Sequence, residues 1–303
     1  MLELKIYGQE GTVDRIEEPT AATVGVFDGV HRGHQALIRQ LSSSHHHLSP
    51  LIVTLTSHPS FVLGRRQSEY WLDDPEEHLR LLFNAGAKYV AVLPFTAEVA
   101  QLSACTMARL LFEQLNMRAL LVGYDSRFGS KLNDDFDRLP LLASELGFSL
   151  HRGEPYQVEG SPISSSRIRE TLERGAVDET SALLGRPFAV TGAVQHGRGV
   201  GHTLGFPTAN IDLSQTRKML PKEGVYAVKL STLVGMANLG AAPTFGIDRP
   251  TLEVHLLDFQ GDLYGQTVNV EFLHRLRDIK HFSTPEALQQ QLQKDLEQTR
   301  LWS

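Results

Sequence analysis

The first 185 residues alternate short apolar runs with stretches of helical periodicity. Three stretches carry apolar residues at helical spacing, namely His34–Leu41, Pro75–Phe83 and Thr106–Leu115. This order of elements predicts a doubly wound, Rossmann-like α/β domain, whose ligands bind beyond the carboxyl ends of the parallel strands. Four runs that alternate with these stretches are apolar at consecutive positions, which indicates strands that are buried on both faces. These runs are Ala22–Phe27, Leu51–Thr56, Lys88–Leu93 and Arg118–Tyr124.

After Gly185 the chain changes to short strands that are separated by Gly, Pro and Asn. This spacing is typical of an antiparallel barrel or sandwich, and we predict a barrel. A terminal helix is indicated by the start signal Ser283–Glu286, after which leucines recur every four residues. Gly185 precedes Pro187, so we predict domains at 1–185 and 186–303. The predicted strands are Phe188–Val194, Val225–Leu230, Met236–Leu239, Leu252–Leu257 and Val268–Phe272.

The composition narrows the class of protein. A hydrophobic share of 41% supports real cores, and no apolar run reaches the roughly 18 residues that a membrane span needs. The net charge of -6 disfavours a general nucleic-acid or anionic-membrane binder. The first twenty residues are acidic rather than apolar, and Cys105 is the single cysteine, which excludes an internal disulfide. We therefore expect a cytoplasmic protein that is monomeric or weakly homo-oligomeric.

The segment Gly25–His34 (GVFDGVHRGH) follows the first predicted strand and opens the first helix. A helix start offers unpaired N–H groups and partial positive charge, and glycines let a nucleotide approach the backbone. His31 and His34 can donate hydrogen bonds to phosphate oxygens there. A tight turn with two incidental histidines is the alternative. No glycine in the chain precedes a lysine, so the Walker A loop of P-loop kinases is absent.

A second polar segment, Ile163–Arg169 (ISSSRIR), combines three serines with two arginines. Serines are favoured at a helix N-cap, and Arg169 can make bidentate hydrogen bonds to a triphosphate. Arg167 and Arg169 are two residues apart and do not share a helix face, so one is expected at the surface. A serine-capped basic helix is common by itself. Placed about 130 residues after HxGH, it resembles the paired signatures of the nucleotidyltransferase superfamily, which attacks the α-phosphate of ATP or CTP and releases pyrophosphate.

The third polar segment, Gly197–Asn210, is rich in glycine and ends in Pro-Thr-Ala-Asn. Its backbone N–H groups can wrap phosphates, and Thr208 and Asn210 offer the oxygen ligands that Mg²⁺ prefers. Further on, Glu253 lies on the strand face opposite to its apolar neighbours and can serve as a general base. The alternatives are an ordinary glycine-rich hairpin and an exposed strand glutamate.

Taken in order, these segments resemble the bacterial bifunctional riboflavin kinase/FAD synthetase family. The resemblance implies that the C-terminal barrel phosphorylates riboflavin to FMN with ATP and Mg²⁺. It implies that the N-terminal α/β nucleotidyltransferase domain then adenylylates FMN to FAD, and that neither nucleic acid nor a membrane is a partner. Six motifs carry it: Gly25–His34, Val122–Gly129, Ile163–Arg169, Gly205–Asn210, Gly224–Val228 and Glu253–Gly265.

The resemblance also implies a role for each matching residue. In the adenylyltransferase it assigns ATP binding to Gly25, Phe27, Asp28, Gly29, His31, Gly33, His34, Ser164, Ser165, Arg167 and Arg169, with His31 and His34 catalytic. In the kinase it assigns ATP binding to Gly197, Gly199, Gly201, Gly205, Thr208 and Asn210, the last two as Mg²⁺ ligands, and makes Glu253 the base. Flavin contacts are assigned to Asp125, Phe128 and Arg277.

Four features depart from the family pattern, all in the adenylyltransferase half. Val26 stands where many members have Asn, and Ser126 where an aromatic residue or His is usual. Ser166 replaces a common Thr conservatively, and Ser130–Asp135 lacks a frequent Arg. Two other functions therefore remain open. The N-terminal half could transfer a nucleotide to another phosphorylated acceptor, or the chain could have lost adenylyl transfer and act as a flavin-binding or regulatory module.

Overall fold

The chain folds into two compact units, Met1–Ser165 and Ser166–Ser303. The computed structural model describes residues 3–56, 70–124, 129–130, 134–158, 160–196, 205–241 and 250–302. Each unit builds its own sheet.

The first unit is built on a seven-stranded sheet in the order β2-β1-β5-β4-β3-β6-β7. Strands β3 to β7 are parallel, whereas β1 pairs antiparallel with β5 and β2 antiparallel with β1. The predicted parallel α/β sheet is thus confirmed. The strands are β1 (Lys5–Gly8), β2 (Gly11–Val13), β3 (Thr20–Val24), β4 (Ser49–Leu55), β5 (Tyr89–Leu93), β6 (Met117–Val122) and β7 (Ser149–Arg152), followed by a small hairpin of β8 (Gln157–Val158) and β9 (Ser161–Pro162).

Helices cover both faces of this sheet. Neighbouring residues Ala21 and Ala22 of β3 enter two different hydrophobic clusters. One cluster includes apolar residues of α1 and α2, and the other includes those of α3 and α4. Burial on both faces explains why the strands read as continuous apolar runs. The helices are α1 (Arg32–Ser44), α2 (Pro75–Asn84), α3 (Ala104–Gln114) and α4 (Leu139–Leu146), with 3₁₀ turns at Val99–Gln101 and Phe136–Arg138.

The strand order creates a topological switch beside β3. From β3 the chain adds β4 and β5 on one side, and it later places β6 on the other side. In open α/β sheets, ligands bind beyond the carboxyl ends of the strands at such a switch. The first predicted strand was drawn to Phe27, but β3 ends at Val24 because a tight turn begins at Gly25. That turn therefore lies where the topology predicts a ligand.

The second unit is a closed antiparallel barrel in the order β10-β11-β14-β13-β12-β15, which confirms the predicted barrel. Strand β11 (Ala209–Ile211) was not predicted, because it has only three residues and follows a proline. The remaining strands are β10 (Phe188–Gln195), β12 (Gly224–Leu230), β13 (Leu233–Ala241), β14 (Pro250–Leu256) and β15 (Thr267–Arg277). The helices are α5 (Ser165–Arg174), α6 (Val177–Leu184) and α7 (Pro285–Thr299), with a 3₁₀ turn at Arg300–Trp302.

Two predicted helix ends are confirmed in this unit. Thr284 caps α7, and its side chain accepts a hydrogen bond from the Ala287 N–H at 3.2 Å. Gly185 ends α6 in the left-handed conformation and donates its N–H to the Ser181 carbonyl at 2.8 Å. Helix α6 packs against β10 and β15 and belongs to the second unit. The domain boundary after Gly185 stays a prediction.

A polar contact ties the chain before β3 to the start of β5. The Glu18 carboxylate lies 2.6 Å from Lys88 Nζ and accepts a hydrogen bond from the Tyr89 hydroxyl, also at 2.6 Å. The hydrogen bond with Lys88 has the largest effect and that with Tyr89 the next, and the pKa of Glu18 is lowered to about 2. The carboxylate is 37% exposed, so solvent screens much of the interaction.

We expect Glu18→Gln to lower the free energy of unfolding at pH 7 by less than about 1 kcal/mol. Because the folded pKa lies below the unfolded one, this stabilisation is present above pH 4.5 and is lost as the pH falls toward 2. Urea unfolding measures the difference in free energy of unfolding between wild type and Glu18→Gln. This difference should be smaller at pH 3 than at pH 7. Glu17→Gln, at a carboxylate that is 79% exposed, is the matched control. A difference that grows on acidification would contradict the assignment.

Candidate active sites

The turn after β3 has a strained backbone. Phe27, Gly29 and Val30 have φ angles of 53°, 80° and 36°. Glycine adopts such angles freely, but each non-glycine residue there costs roughly 1–3 kcal/mol, and Val30 is β-branched. Strain of this size persists only where the surroundings hold the backbone, and it concentrates at functional sites.

Three hydrogen bonds from separate elements hold this turn. Thr54 Oγ1 at the end of β4 donates to the Val26 carbonyl at 3.0 Å. The Leu72 N–H donates to the buried Asp28 carboxylate at 2.8 Å, and Ser165 Oγ donates to the Asp28 carbonyl at 3.1 Å. The structure therefore brings two predicted site residues, Asp28 and Ser165, into contact and uses that contact to hold the turn.

His31 and His34 lie together at the start of α1. His31 is the N-cap residue, and its Nδ1 accepts a hydrogen bond from the His34 N–H at 3.3 Å. Their rings stack with centroids 3.6 Å apart, and the Phe27 ring packs edge-on against His34. A Cβ at position 33 would lie 3.1 Å from His31 Nδ1, so Gly33 leaves room for the capping ring. Because Nδ1 accepts, a neutral His31 carries its proton on Nε2.

His34 is held in its neutral form. Burial lowers its pKa well below the usual value, and the neighbouring His31 and His78 lower it further. Its Nδ1 atom is buried and has no hydrogen-bond partner among the described residues. The first turn of α1 contains no acidic residue, so the positive end of the helix dipole is unopposed. This arrangement suits anionic oxygens that accept hydrogen bonds.

The second signature lies at the start of α5. Ser164 is exposed, Ser165 is the first helical residue, and Arg167 and Arg169 follow within the second unit. Arg169 is buried and Arg167 is half-buried, so the expectation that one arginine lies at the surface is wrong. Five predicted residues lie outside the described part of the chain: Asp125, Phe128, Gly197, Gly199 and Gly201.

In the barrel, strand register places Glu253 between two amides. Asn210 on β11 is directly opposite Glu253 on β14, and Asn238 on β13 is opposite it on the other side. Directly opposed residues share one face of the sheet, with Cβ atoms about 4.5–5.5 Å apart. Glu253 is half-exposed while Leu252 and Val254 are buried, as the alternation predicted. Asn238 was missed because cross-strand register is not visible in a single sequence.

Two cavities meet beside this row of residues. The larger, which we call the α7 cavity, has a volume of about 290 Å³ and contains Asn238, Glu253 and Arg277. Leu288 and Leu292 of α7 contribute to its apolar lining. The smaller, the Tyr264 cavity, has a volume of about 130 Å³ and is lined by Val194, Ala209, Val254, Leu256, Asp262 and Tyr264 among others. Thr208 lines both cavities and thus marks their junction.

Thr208 is held in place by the strand that carries Glu253. His255 Nδ1 donates a hydrogen bond to the Pro207 carbonyl at 2.8 Å, and the Phe206 ring packs edge-on against the His255 ring. Gly205 enters this segment with a left-handed φ of 84°. Because His255 follows Glu253 by two residues on the same strand face, Glu253 and Thr208 are positioned by one strand.

Arg277, predicted to contact the flavin, makes a buried ion pair with α7. Its Nη2 lies 2.7 Å from Asp295 Oδ2, and its Nε donates to both carboxylate oxygens at 3.0 Å. Asp295 is 1% exposed and also accepts a hydrogen bond from Gln291 Nε2 at 2.9 Å. The pair attaches α7 to β15 and so supports one wall of the α7 cavity. The flavin contact of Arg277 stays a prediction.

Comparison with known proteins identifies the family. The FAD synthetase family model matches residues 13–167, and the riboflavin kinase family model matches residues 184–303. The chain belongs to the bifunctional riboflavin kinase/FMN adenylyltransferase family. It is 35% identical over 287 residues to the family member of Escherichia coli K12, covering 92% of this chain and 91% of that one. The Haemophilus influenzae member is 35% identical over 292 residues, covering 94% of each chain.

A solved structure shares the fold over the whole chain. The protein from Streptococcus pneumoniae that is described as a macrolide-efflux protein matches with a TM-score of 0.85 and 31% identity, over 98% of both chains. Within the residues described for the present family member, no helix is both long and apolar enough to cross a membrane.

We expect Asp295→Ala to lower the free energy of unfolding by about 3–5 kcal/mol, because it leaves the Arg277 guanidinium unpaired beside the barrel. Chemical unfolding followed by circular dichroism measures this change. Glu297→Ala, at an exposed position on the same helix, should change stability by less than about 0.5 kcal/mol. Equal effects of the two substitutions would show that the ion pair does not hold α7.

Proposed function

We propose that this bifunctional riboflavin kinase and FMN adenylyltransferase performs its two reactions at separate ATP sites, one at the turn after β3 and one in the barrel. The kinase site lies at the junction of the α7 and Tyr264 cavities. The adenylyltransferase site lies at the turn after β3. The observation that supports the proposal is that His31 and His34 lie together at the start of α1 in one unit, whereas in the barrel Thr208 lines both cavities and Asn210 lies opposite Glu253.

The two cavities of the barrel suit different parts of the two kinase substrates. The apolar wall from α7 suits the flavin ring in the α7 cavity, whereas the Tyr264 cavity of about 130 Å³ has room for only part of ATP. Thr208 then lies between the γ-phosphoryl group and the ribityl hydroxyl. In this arrangement the Glu253 carboxylate accepts the hydroxyl proton while the hydroxyl oxygen bonds to the γ-phosphorus and ADP leaves.

The donor set beside Glu253 fits Mg²⁺. Thr208 offers a hydroxyl oxygen and Asn210 a carboxamide oxygen, and both are the hard ligands that Mg²⁺ binds beside phosphates. Strand pairing places Asn210 directly opposite Glu253, so ligand and base share one face. When bound there, Mg²⁺ would neutralise phosphate charge. Asn238 is available on the other side of Glu253 to orient its carboxylate.

The α1 site suits adenylyl transfer because this reaction needs donors rather than a base. The FMN phosphate is already ionised when it attacks the α-phosphorus of ATP, and the bond to pyrophosphate breaks. The His31 Nε2–H and the N–H groups at the start of α1 can donate to the oxygens that gain charge. The neutral state of His34 agrees with this role. Because the nucleophile carries no proton that must be removed, the reaction does not require His34 to act as a base.

Three further properties stay predictions. These are the functional domain bounds at 1–185 and 186–303, a cytoplasmic location, and a monomeric or weakly homo-oligomeric state.

The two activities should separate by mutation. We expect His31→Ala to reduce FAD formation about 100-fold, because one donor contributes about 3 kcal/mol to transition-state stabilisation, and to leave FMN formation unchanged. Glu253→Gln should do the reverse. Chromatography of FMN formed from riboflavin, and separately of FAD formed from added FMN, measures the two steps independently. His47→Ala and Glu271→Gln, outside both sites, are the controls. A folded variant that loses both activities would refute the two-site assignment, and flavin binding without turnover in wild type would favour a regulatory module.

Asn210→Ala should raise the Mg²⁺ concentration that half-saturates the kinase step by at least about threefold, because it removes an oxygen ligand. Initial rates of FMN formation across a Mg²⁺ titration measure the change. Asn269→Ala, on β15, is the amide control. An unchanged titration would exclude Asn210 as a ligand.

A further inference from the structure

A chain of three buried or nearly buried polar side chains lies behind the turn of the α1 site. His78 on α2 has its Nδ1 3.1 Å from Asp73 Oδ2 and its Nε2 3.1 Å from Thr54 Oγ1. The Asp73 side chain is fully buried and that of His78 is 12% exposed. Thr54 is 1% exposed and donates onward to the Val26 carbonyl. None of these three residues is among the groups assigned above to ATP, Mg²⁺ or flavin.

The direction of two of these hydrogen bonds follows from the number of protons available. A carbonyl only accepts, so the single hydroxyl proton of Thr54 points to Val26. His78 Nε2 must then donate to Thr54 Oγ1. The other ring nitrogen, Nδ1, lies 3.1 Å from Asp73 Oδ2, and this contact fixes the orientation of the ring.

The segment that contains this pair holds the strained turn at two points. Asp73 and His78 act on the Val26 carbonyl through Thr54, whereas the adjacent Leu72 N–H donates to the Asp28 carboxylate. These two contacts lie on either side of Phe27, the first residue of the turn with a left-handed φ. A backbone that costs several kcal/mol of local strain stays in place only when contacts of this kind oppose its relaxation.

We propose that His78 is a positioning residue for adenylyl transfer: paired with Asp73, it holds through Thr54 the strained turn that presents His31 and His34 to ATP. This role rests on the proposed function of the α1 site. His78 does not touch the reacting atoms. His78 also lies close enough to His34 to lower the pKa of that ring, which agrees with the neutral state of His34.

Kinetics of FAD formation from FMN and ATP test the role. Thr54→Val preserves shape but removes the link, and we expect kcat to fall about tenfold while both KM values stay within about twofold. His78→Leu should have a similar effect. His78→Gln keeps an N–H donor and should recover most of the loss. Because the residues act through one chain, the Thr54→Val/His78→Leu double variant should lose no more than either single variant.

The controls separate positioning from misfolding. FMN formation by the kinase should be unchanged in every variant, and circular dichroism should match wild type. His47→Gln, an exposed histidine of the same unit, should leave both reactions unchanged. Unchanged kcat in Thr54→Val, or multiplied losses in the double variant, would overturn the proposal. Wild-type protein that forms no FAD at all would instead refute the proposed function.

Discussion

Both proposed active sites contain a hydrogen bond from a strand side chain to a carbonyl of an irregular loop. In the first unit Thr54 on β4 donates to the Val26 carbonyl, and in the second His255 on β14 donates to the Pro207 carbonyl. Each carbonyl lies one to five residues before a group assigned to phosphate or metal, His31 or Thr208. Rigid strands thereby set the position of loops that have no regular ladder of their own. Such support matters because a small displacement of a reacting group costs much of the rate.

The two sites differ in the charges of the groups that are held in this way. The α1 site presents neutral donors and an unopposed helix dipole, and burial keeps His34 uncharged. In the barrel site the Glu253 carboxylate lies between the Asn210 and Asn238 amides. The Thr208 hydroxyl lies at the junction of the two cavities. Adenylyl transfer has an ionised nucleophile and needs stabilisation of charge on phosphate oxygens. Transfer to an alcohol also needs a proton acceptor, which is the role we propose for Glu253.

Much of the fold was predictable because the signals were local. Apolar runs identified the parallel strands, and the start at Thr284 and the end at Gly185 were confirmed as helix termini, since both depend on the conformation of a few adjacent residues. The short strand β11 was missed, because three residues after a proline carry little β signal by themselves. The end of β3 was predicted three residues too late, because the apolar pattern continues into a turn whose conformation depends on distant hydrogen bonds.

By itself, the sequence determined the two architectures, the family and the residue types that act on phosphate, because strand and helix periodicity and ordered motifs are properties of neighbouring residues. Tertiary structure alone decided that Asn238 faces Glu253, that Arg277 pairs with Asp295, and that Asp73, His78 and Thr54 support Val26. These partners lie 15 to 28 residues apart, except Asp73 and His78, which are five residues apart. Strand register and packing bring them together. No local sequence pattern predicts such contacts, because they form only when folding brings distant segments of the chain together.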